Sequence, residues 1–147
     1  MNDGGVAVPV PYEFFEHTAD IGVTAYGTTL SELFHNAVSA MYNALGKFEL
    51  SSHDVQRTLN VQADSAEDLL HDWLAELLYE LETHHVLYEQ IDLTKVDRTS
   101  LSARLCGGTI DFARSQTNEE IKAVTYHQLR VEQTPDGTWR ATMIFDV

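Results

Sequence analysis

The stretch YEFFEHTADIGVTAYG, residues 12–27, contains two short segments rich in aromatic and β-branched residues, YEFFEH and IGVTAYG. Each segment has the length and composition of a β-strand, and TAD stands between them. We therefore predict two strands joined at a tight corner. The preceding residues 1–11 mix Gly, Pro and small residues without any period, and they are expected to form a flexible N-terminal leader.

An amphipathic helix is predicted directly after these strands. Thr29 and Glu32 have the spacing of a capping box, and Gly46 is suited to end the helix. Between these residues the apolar side chains fall on one helical face, namely Leu30, Leu33, Phe34, Ala37, Val38, Met41, Tyr42 and Leu45.

A second helix is predicted after VQRTLNVQA, residues 55–63, which alternates like a half-buried strand. Asp64 and Glu67 are expected to form its capping box. Its broad apolar face must be deeply buried and consists of Leu69, Leu70, Trp73, Leu74, Leu77, Leu78 and Leu81. The opposite face is acidic, which is typical of a solvated helix surface.

The second half of the chain is predicted to form strands at residues 86–96, 100–107, 122–133 and 138–147. TPDG, residues 134–137, supplies a turn between the last two, and CGGT, residues 106–109, is also expected to be a turn. Strands and helices do not alternate regularly, so an antiparallel arrangement is favoured. We predict an α+β fold, an antiparallel β-sheet with two amphipathic helices packed on it, in one domain over residues 12–147.

Composition limits the classes of function. The 147 residues include 9 basic and 23 acidic side chains, and the net charge of −14 disfavours direct nucleic-acid binding. A single cysteine and the lack of a secretory leader indicate a cytoplasmic protein. No apolar run is long enough to span a membrane. The sequence leaves the oligomeric state open.

Two aspartates are candidates for cation ligands. Asp20 lies in HTADIG, residues 17–22, and Asp146 precedes the last residue, Val147. A lone aspartate at a corner is more often a turn-former than a ligand. Asp20, Asp146 and the Val147 carboxylate could together supply the hard oxygens that Ca²⁺, Mg²⁺ or Mn²⁺ requires, but sequence spacing does not establish that they meet.

The other polar residues show no catalytic pattern. Lys122 and His127 differ in parity, so on a regular strand they would face opposite sides, and Lys122 could simply protect a strand edge. The histidines and Cys106 lack zinc-site spacing, and no Gly-x-Ser-x-Gly element is present. These features favour a binding or helper domain over a stand-alone enzyme.

Five motifs in order resemble the archease family: HTADIG, the TLSELFHNA helix, DSAEDLLHDWLAELL, KAVTYH and the ending FDV. The resemblance covers residues 12–147. It implies an α+β accessory protein of the RtcB family of tRNA-splicing RNA ligases, which promotes guanylylation of the ligase and multiple turnover without itself being an enzyme.

The resemblance also implies functional residues. The family's metal site falls on Asp20, Asp146 and Val147, with Ca²⁺ expected and Mg²⁺ or Mn²⁺ as alternatives. Lys122 matches a further functional position, and His17 is a candidate for contact with the ligase. Two alternatives remain: a small metal-dependent phosphoesterase that uses His17 with the two aspartates, and a chaperone-like adaptor.

Overall fold

The computed structural model describes residues 10–17 and 19–147, with His17 described by its main chain only. The elements in chain order are β1 (Tyr12–His17), β2 (Asp20–Gly27), α1 (Leu30–Leu45), β3 (Gly46–Leu50), β4 (Val55–Gln62), α2 (Ala66–His84), β5 (Val86–Val96), β6 (Ser100–Thr117), β7 (Ala123–Val124), β8 (Arg130–Gln133) and β9 (Trp139–Asp146). Neither helix in this part of the chain is long and apolar enough to cross a membrane.

Most of the expected leader, residues 1–9, lies outside the described residues. Pro11, which the prediction included in the leader, already contacts the folded protein, because its carbonyl oxygen accepts a hydrogen bond of 2.9 Å from the Tyr26 amide.

The strands form two antiparallel sheets. The first sheet has the order β1-β2-β9-β7, with β8 also paired to β9, and the second has the order β3-β6-β4, with β5 also paired to β6. Both helices contact strands of both sheets. The predicted α+β class is therefore confirmed, but the single sheet of the prediction is wrong, since strand composition does not specify which strands pair.

The predicted helix α1 is confirmed, and the start of α2 differs by one residue. Thr29 caps α1 by accepting a hydrogen bond of 3.1 Å from the Glu32 amide. In α2 the cap is Ser65, which accepts from the Asp68 amide over 3.1 Å, so the prediction of Asp64 is wrong. Both residue types can cap a helix, and sequence alone did not separate two neighbours.

Two stretches of the second half differ from the prediction. CGGT lies inside β6, where Gly107 pairs with both Val55 and Tyr88, so the expected turn is wrong. A Cβ atom on Gly108 would lie 1.7 Å from the Ser52 carbonyl oxygen. The main chains approach so closely here that only glycine fits at this position. The predicted strand 122–133 is split into β7 and β8 by a turn in which Gln128 has a φ of 54°.

The pairing of β2 with β9 determines the geometry of one end of the first sheet. Val23 pairs with Met143 and Ala25 with Ala141, and all four side chains are fully buried. Side chains alternate along a strand, so Asp20 and Asp146 lie on the sheet face opposite these core residues. This face, at the end formed by the β1–β2 corner and the end of β9, contains the candidate site.

Candidate functional site

Asp20 and Asp146 pair with each other. Asp20 is the first residue of β2 and Asp146 is the last residue of β9, and the two are directly opposed in the antiparallel register. Directly opposed residues have Cβ atoms about 4.5–5.5 Å apart on the same face of the sheet, and like charges in such positions are destabilising. Both side chains are partly exposed. The strand register therefore brings two carboxylates together at an accessible sheet end.

The corner between β1 and β2 determines where β2 starts. His17 pairs with Asp20 across this corner, which leaves two residues between the strands. Ala19, the second of them, has a φ of 59°, in the left-handed region. His17 thus lies next to Asp20 in the main-chain ladder, whereas the direction of its side chain is outside the described structure, as is Thr18.

Asp146 is also paired, on the side away from β2, with the segment that contains Lys122 and β7. The Lys122 amide donates a hydrogen bond of 2.7 Å to the Asp146 main-chain carbonyl, and Ala123 is the β7 residue that pairs with Asp146. Ile121 before it is fully buried, while Lys122 is exposed. The main chain of Lys122 is therefore anchored beside Asp146, and its ammonium group is accessible.

His127 and Lys122 lie on either side of the short strand β7. It lies in the turn before β8, where its amide donates a hydrogen bond of 3.2 Å to Thr125 Oγ1. Lys122 also precedes β7 rather than lying in it. The strand alternation used in the sequence argument therefore does not relate the two side chains.

Val147 follows Asp146, and its side chain packs against the hydrophobic core. This is consistent with the alternation along β9, since Phe145, two residues earlier, is also a core residue. The main chain at the end of β9 is thus held on both sides of Asp146.

The donor chemistry of this end suits a hard divalent cation. Asp20 and Asp146 offer carboxylate oxygens, the ligand type that Ca²⁺, Mg²⁺ and Mn²⁺ prefer. Among the side chains that the structure describes, which leave out residues 1–9, His17 and Thr18, however, no three from His, Cys, Asp or Glu are arranged to hold a metal ion. The carboxylates of Asp20 and Asp146 are therefore ligands of a suitable type for such a cation, and the side chains that the structure describes do not supply a third.

Asp20 also borders an open groove of about 1010 Å³. Its lining includes Phe14, Phe15 and Glu16 of β1, Asn43 near the end of α1, and Asn118 and Glu119 after β6. Phe14 is 48% exposed, so an apolar ring lines this groove within reach of solvent. Sequence reasoning did not single out these residues. Phe14 and Phe15 are adjacent in β1, so their side chains point to opposite faces of the sheet, but the sequence does not show which face is exposed.

The fold and the site define a class: a small α+β protein with paired carboxylates and an anchored, exposed lysine at one end of an antiparallel sheet. Residues 12–147 match the Archease protein family (MTH1598/TM1083). The protein archease of Methanosarcina barkeri is 36% identical over 140 residues, which are 92% of this chain and 95% of that protein. The chain belongs to the archease family.

Two solved structures have the same fold. The solution structure of Methanobacterium thermoautotrophicum protein 1598 is 32% identical with a TM-score of 0.72, and the match covers 93% of this chain and 99% of that one. A Thermotoga maritima archease, described as a possible chaperone, is 22% identical with a TM-score of 0.64 and covers 97% and 98%. At that identity the second likeness concerns the fold alone.

Proposed function

We propose that this archease is an accessory protein of an RtcB-family RNA ligase. In this proposal it promotes guanylylation of the ligase and permits multiple turnover during tRNA splicing. Membership of the archease family supports the proposal, and the observation that carries it is the direct pairing of Asp20 with Asp146 at an accessible sheet end. Two opposed carboxylates repel each other, and a bound cation or a cationic partner group would lower this repulsion.

The proposed site is a divalent cation site, with Ca²⁺ as the expected ion and Mg²⁺ or Mn²⁺ as alternatives. Asp20 and Asp146 would be side-chain ligands, and the Val147 carboxylate would be the main-chain ligand. When bound, the cation would supply positive charge that lowers the repulsion between these carboxylates and the phosphates of a nucleotide on the ligase. The protein's own contribution is the strand register, which keeps both aspartates on one face.

Lys122 has a separate role in this proposal. Its main chain is bound to Asp146 through the 2.7 Å hydrogen bond, whereas its side chain is exposed. An ammonium group cannot bind a cation, but it can contact a phosphate or a carboxylate of the ligase as a compact point charge. His17, which pairs with Asp20, is proposed to contact the ligase from the neighbouring corner.

RNA would remain on the ligase. The protein carries a net charge of −14, which disfavours contact with the RNA backbone by long-range repulsion. The open groove beside Asp20 exposes aromatic side chains as well as carboxylates, so it suits contact with a protein surface better than contact with phosphates.

A turnover experiment tests this proposal. The cognate ligase is held limiting over RNA halves, and the number of ligations per ligase is measured with the wild-type protein, Asp20→Asn, Asp146→Asn or the matched control Asp54→Asn. Asp54 is an exposed aspartate before β4, in the other sheet. The wild type and Asp54→Asn should give many turnovers and the site variants about one. Equal turnover numbers for all four proteins would contradict the proposal.

The two alternative functions are separated by assays without the ligase. A metal-dependent phosphoesterase would hydrolyse phosphoesters alone, and a chaperone would suppress aggregation of unrelated clients independently of Asp20. We expect neither activity from the metal-loaded protein alone.

A further inference from the structure

His71 on α2 contacts the segment that follows Lys122. Its Nε2 lies 2.8 Å from the Val124 carbonyl oxygen, and its Nδ1 lies 3.0 Å from Asp72 Oδ1. Its ring stacks on Tyr126 with 4.0 Å between centroids and 15° between planes. The His71 side chain is only 17% exposed. The imidazole is thus fixed at both nitrogens and on one face.

The direction of the contact with Val124 follows from its chemistry. A carbonyl oxygen only accepts hydrogen bonds, so Nε2 of His71 carries a proton and donates it to Val124. Tyr126, whose ring stacks on His71, belongs to the same cluster; partial desolvation and the charges of Asp72 and Asp68 raise the pKa of its hydroxyl although the residue is 59% exposed. His71 is therefore a hydrogen-bond donor in acidic surroundings, and α2 is bound through it to β7.

β7 is short, and a small number of contacts determine its position. It consists of Ala123 and Val124 and pairs with Asp146 and Phe145 of β9. Flanking hydrogen bonds run from the Lys122 amide to Asp146 and from the Thr125 amide to Ile144, at 2.7 and 3.1 Å. A two-residue strand at a sheet edge has little pairing energy of its own, so its position also depends on contacts from outside the sheet, which include the core packing of Ile121 and Val124 and the hydrogen bond from His71.

A second side chain of α2 binds the other end of the same segment. Glu67 Oε2 accepts a hydrogen bond of 2.9 Å from the Val131 amide in β8. Glu67 and His71 are four residues apart and therefore lie on one face of the helix. The turn between β7 and β8, which contains Gln128 with its positive φ, is thus held between two contacts from one helix face.

We propose that His71 is a positioning residue that holds β7 against β9 and so fixes Lys122 beside Asp146. The part of this proposal that concerns the function of Lys122 rests on the proposed ligase-activating role, whereas the part that concerns the position of β7 does not. In this proposal His71 acts through main-chain position, by way of its contact with Val124.

Amide hydrogen exchange tests the structural part directly. His71→Leu removes the donor, and His71→Gln keeps an N–H group at about the position of Nε2. In His71→Leu we expect the Lys122 and Thr125 amides to exchange about tenfold faster, as for loss of a partly buried hydrogen bond, while the Val23 amide in β2 is unchanged. His71→Gln should restore slow exchange in large part. His35→Leu, at an exposed histidine of α1, is the matched control.

The same variants are then compared in the ligase assay and in metal titrations. His71→Leu should lose stimulation with unchanged metal affinity, and His71→Gln should recover it. Unchanged exchange at Lys122 and Thr125 would overturn the proposal, as would an equal rise at Val23, which reports general destabilisation. Faster exchange with full stimulation would overturn the link to Lys122. If the wild type itself does not stimulate the ligase, the proposed function fails, while the exchange result still decides whether His71 holds β7.

Discussion

Asp20 and Asp146 occupy directly opposed positions on two neighbouring antiparallel strands. The main-chain register alone brings the two carboxylates together, because the core residues Val23, Ala25, Ala141 and Met143 fix which face of each strand is buried. A one-residue slip would bury the carboxylates and expose the core. The site is therefore specified by the same pairing that stabilises the first sheet.

Because Asp20 and Asp146 are both negatively charged, we predict that the free energy of unfolding depends on the concentration of divalent metal. Without divalent metal, Asp146→Asn should be at least as stable as the wild type, since it removes a like-charge contact. With Ca²⁺ at about 100 times Kd, the wild type should gain about 2.7 kcal/mol, which corresponds to about 5–10 °C in Tm for a chain of this size. Thermal melts followed by circular dichroism measure both effects, with Asp54→Asn as the control. An equal Ca²⁺ shift in Asp146→Asn and the wild type would remove Asp146 from the site.

Lys122→Ala should reduce ligase stimulation without weakening metal binding. The amide of residue 122 still donates to Asp146 in this variant, and an ammonium group is not a metal ligand. Ligase assays and calorimetric titration with Ca²⁺ measure the two quantities. Lys47→Ala, at an exposed lysine of β3 in the other sheet, should change neither. A large drop in Ca²⁺ affinity in Lys122→Ala would mean that the side chain organises the carboxylates.

Fusion of a peptide after Val147 tests the main-chain ligand. The fusion converts the Val147 carboxylate into an amide and removes one negative charge, so metal affinity should fall. The same peptide placed before Met1 controls for size and should leave the affinity unchanged. Calorimetry on the two fusions gives the comparison. If both bind Ca²⁺ equally, Asp20 and Asp146 act without the Val147 carboxylate.

Gly108→Ala tests the close approach inside β6. The added Cβ would meet the Ser52 main-chain oxygen at 1.7 Å, so the main chain must move, and the free energy of unfolding should fall by about 3 kcal/mol. At Gly137, φ is 91° and no atom lies within 4 Å of an added Cβ, so Gly137→Ala should cost only about 1 kcal/mol of conformational strain. Urea denaturation measures both. Similar losses in the two variants would show that contact with Ser52 is unimportant.

Local sequence signals predicted the helices well. The Thr29 and Glu32 capping pair and the apolar period identify α1 because both are properties of a single helix. The one-residue error at the start of α2 arose where Asp64 and Ser65 are both suitable caps. The β1–β2 corner was likewise predictable, since it depends on residues close together in sequence.

Features that depend on distant residues were not predictable in this way. The two glycines of CGGT contact main chain that is far away in sequence, and this contact is the reason for glycine at both positions. From composition alone the stretch was wrongly predicted to be a turn. Asp20 and Asp146 were candidates from residue type and position, the archease resemblance assigned them to one site, and only the strand register showed that they pair. The anchoring of Lys122 to Asp146 and the contact of His71 with Val124 are tertiary hydrogen bonds without a local sequence signature.

The most direct test of the central claim is guanylylation of the cognate ligase, measured as the fraction of ligase labelled from GTP over time with and without this protein. The proposed function predicts faster and more complete labelling with the wild type and with Asp54→Asn, and no increase with Asp146→Asn. Labelling that is the same with and without the wild-type protein, over a range of protein and divalent metal concentrations, would contradict the claim that this archease activates the ligase.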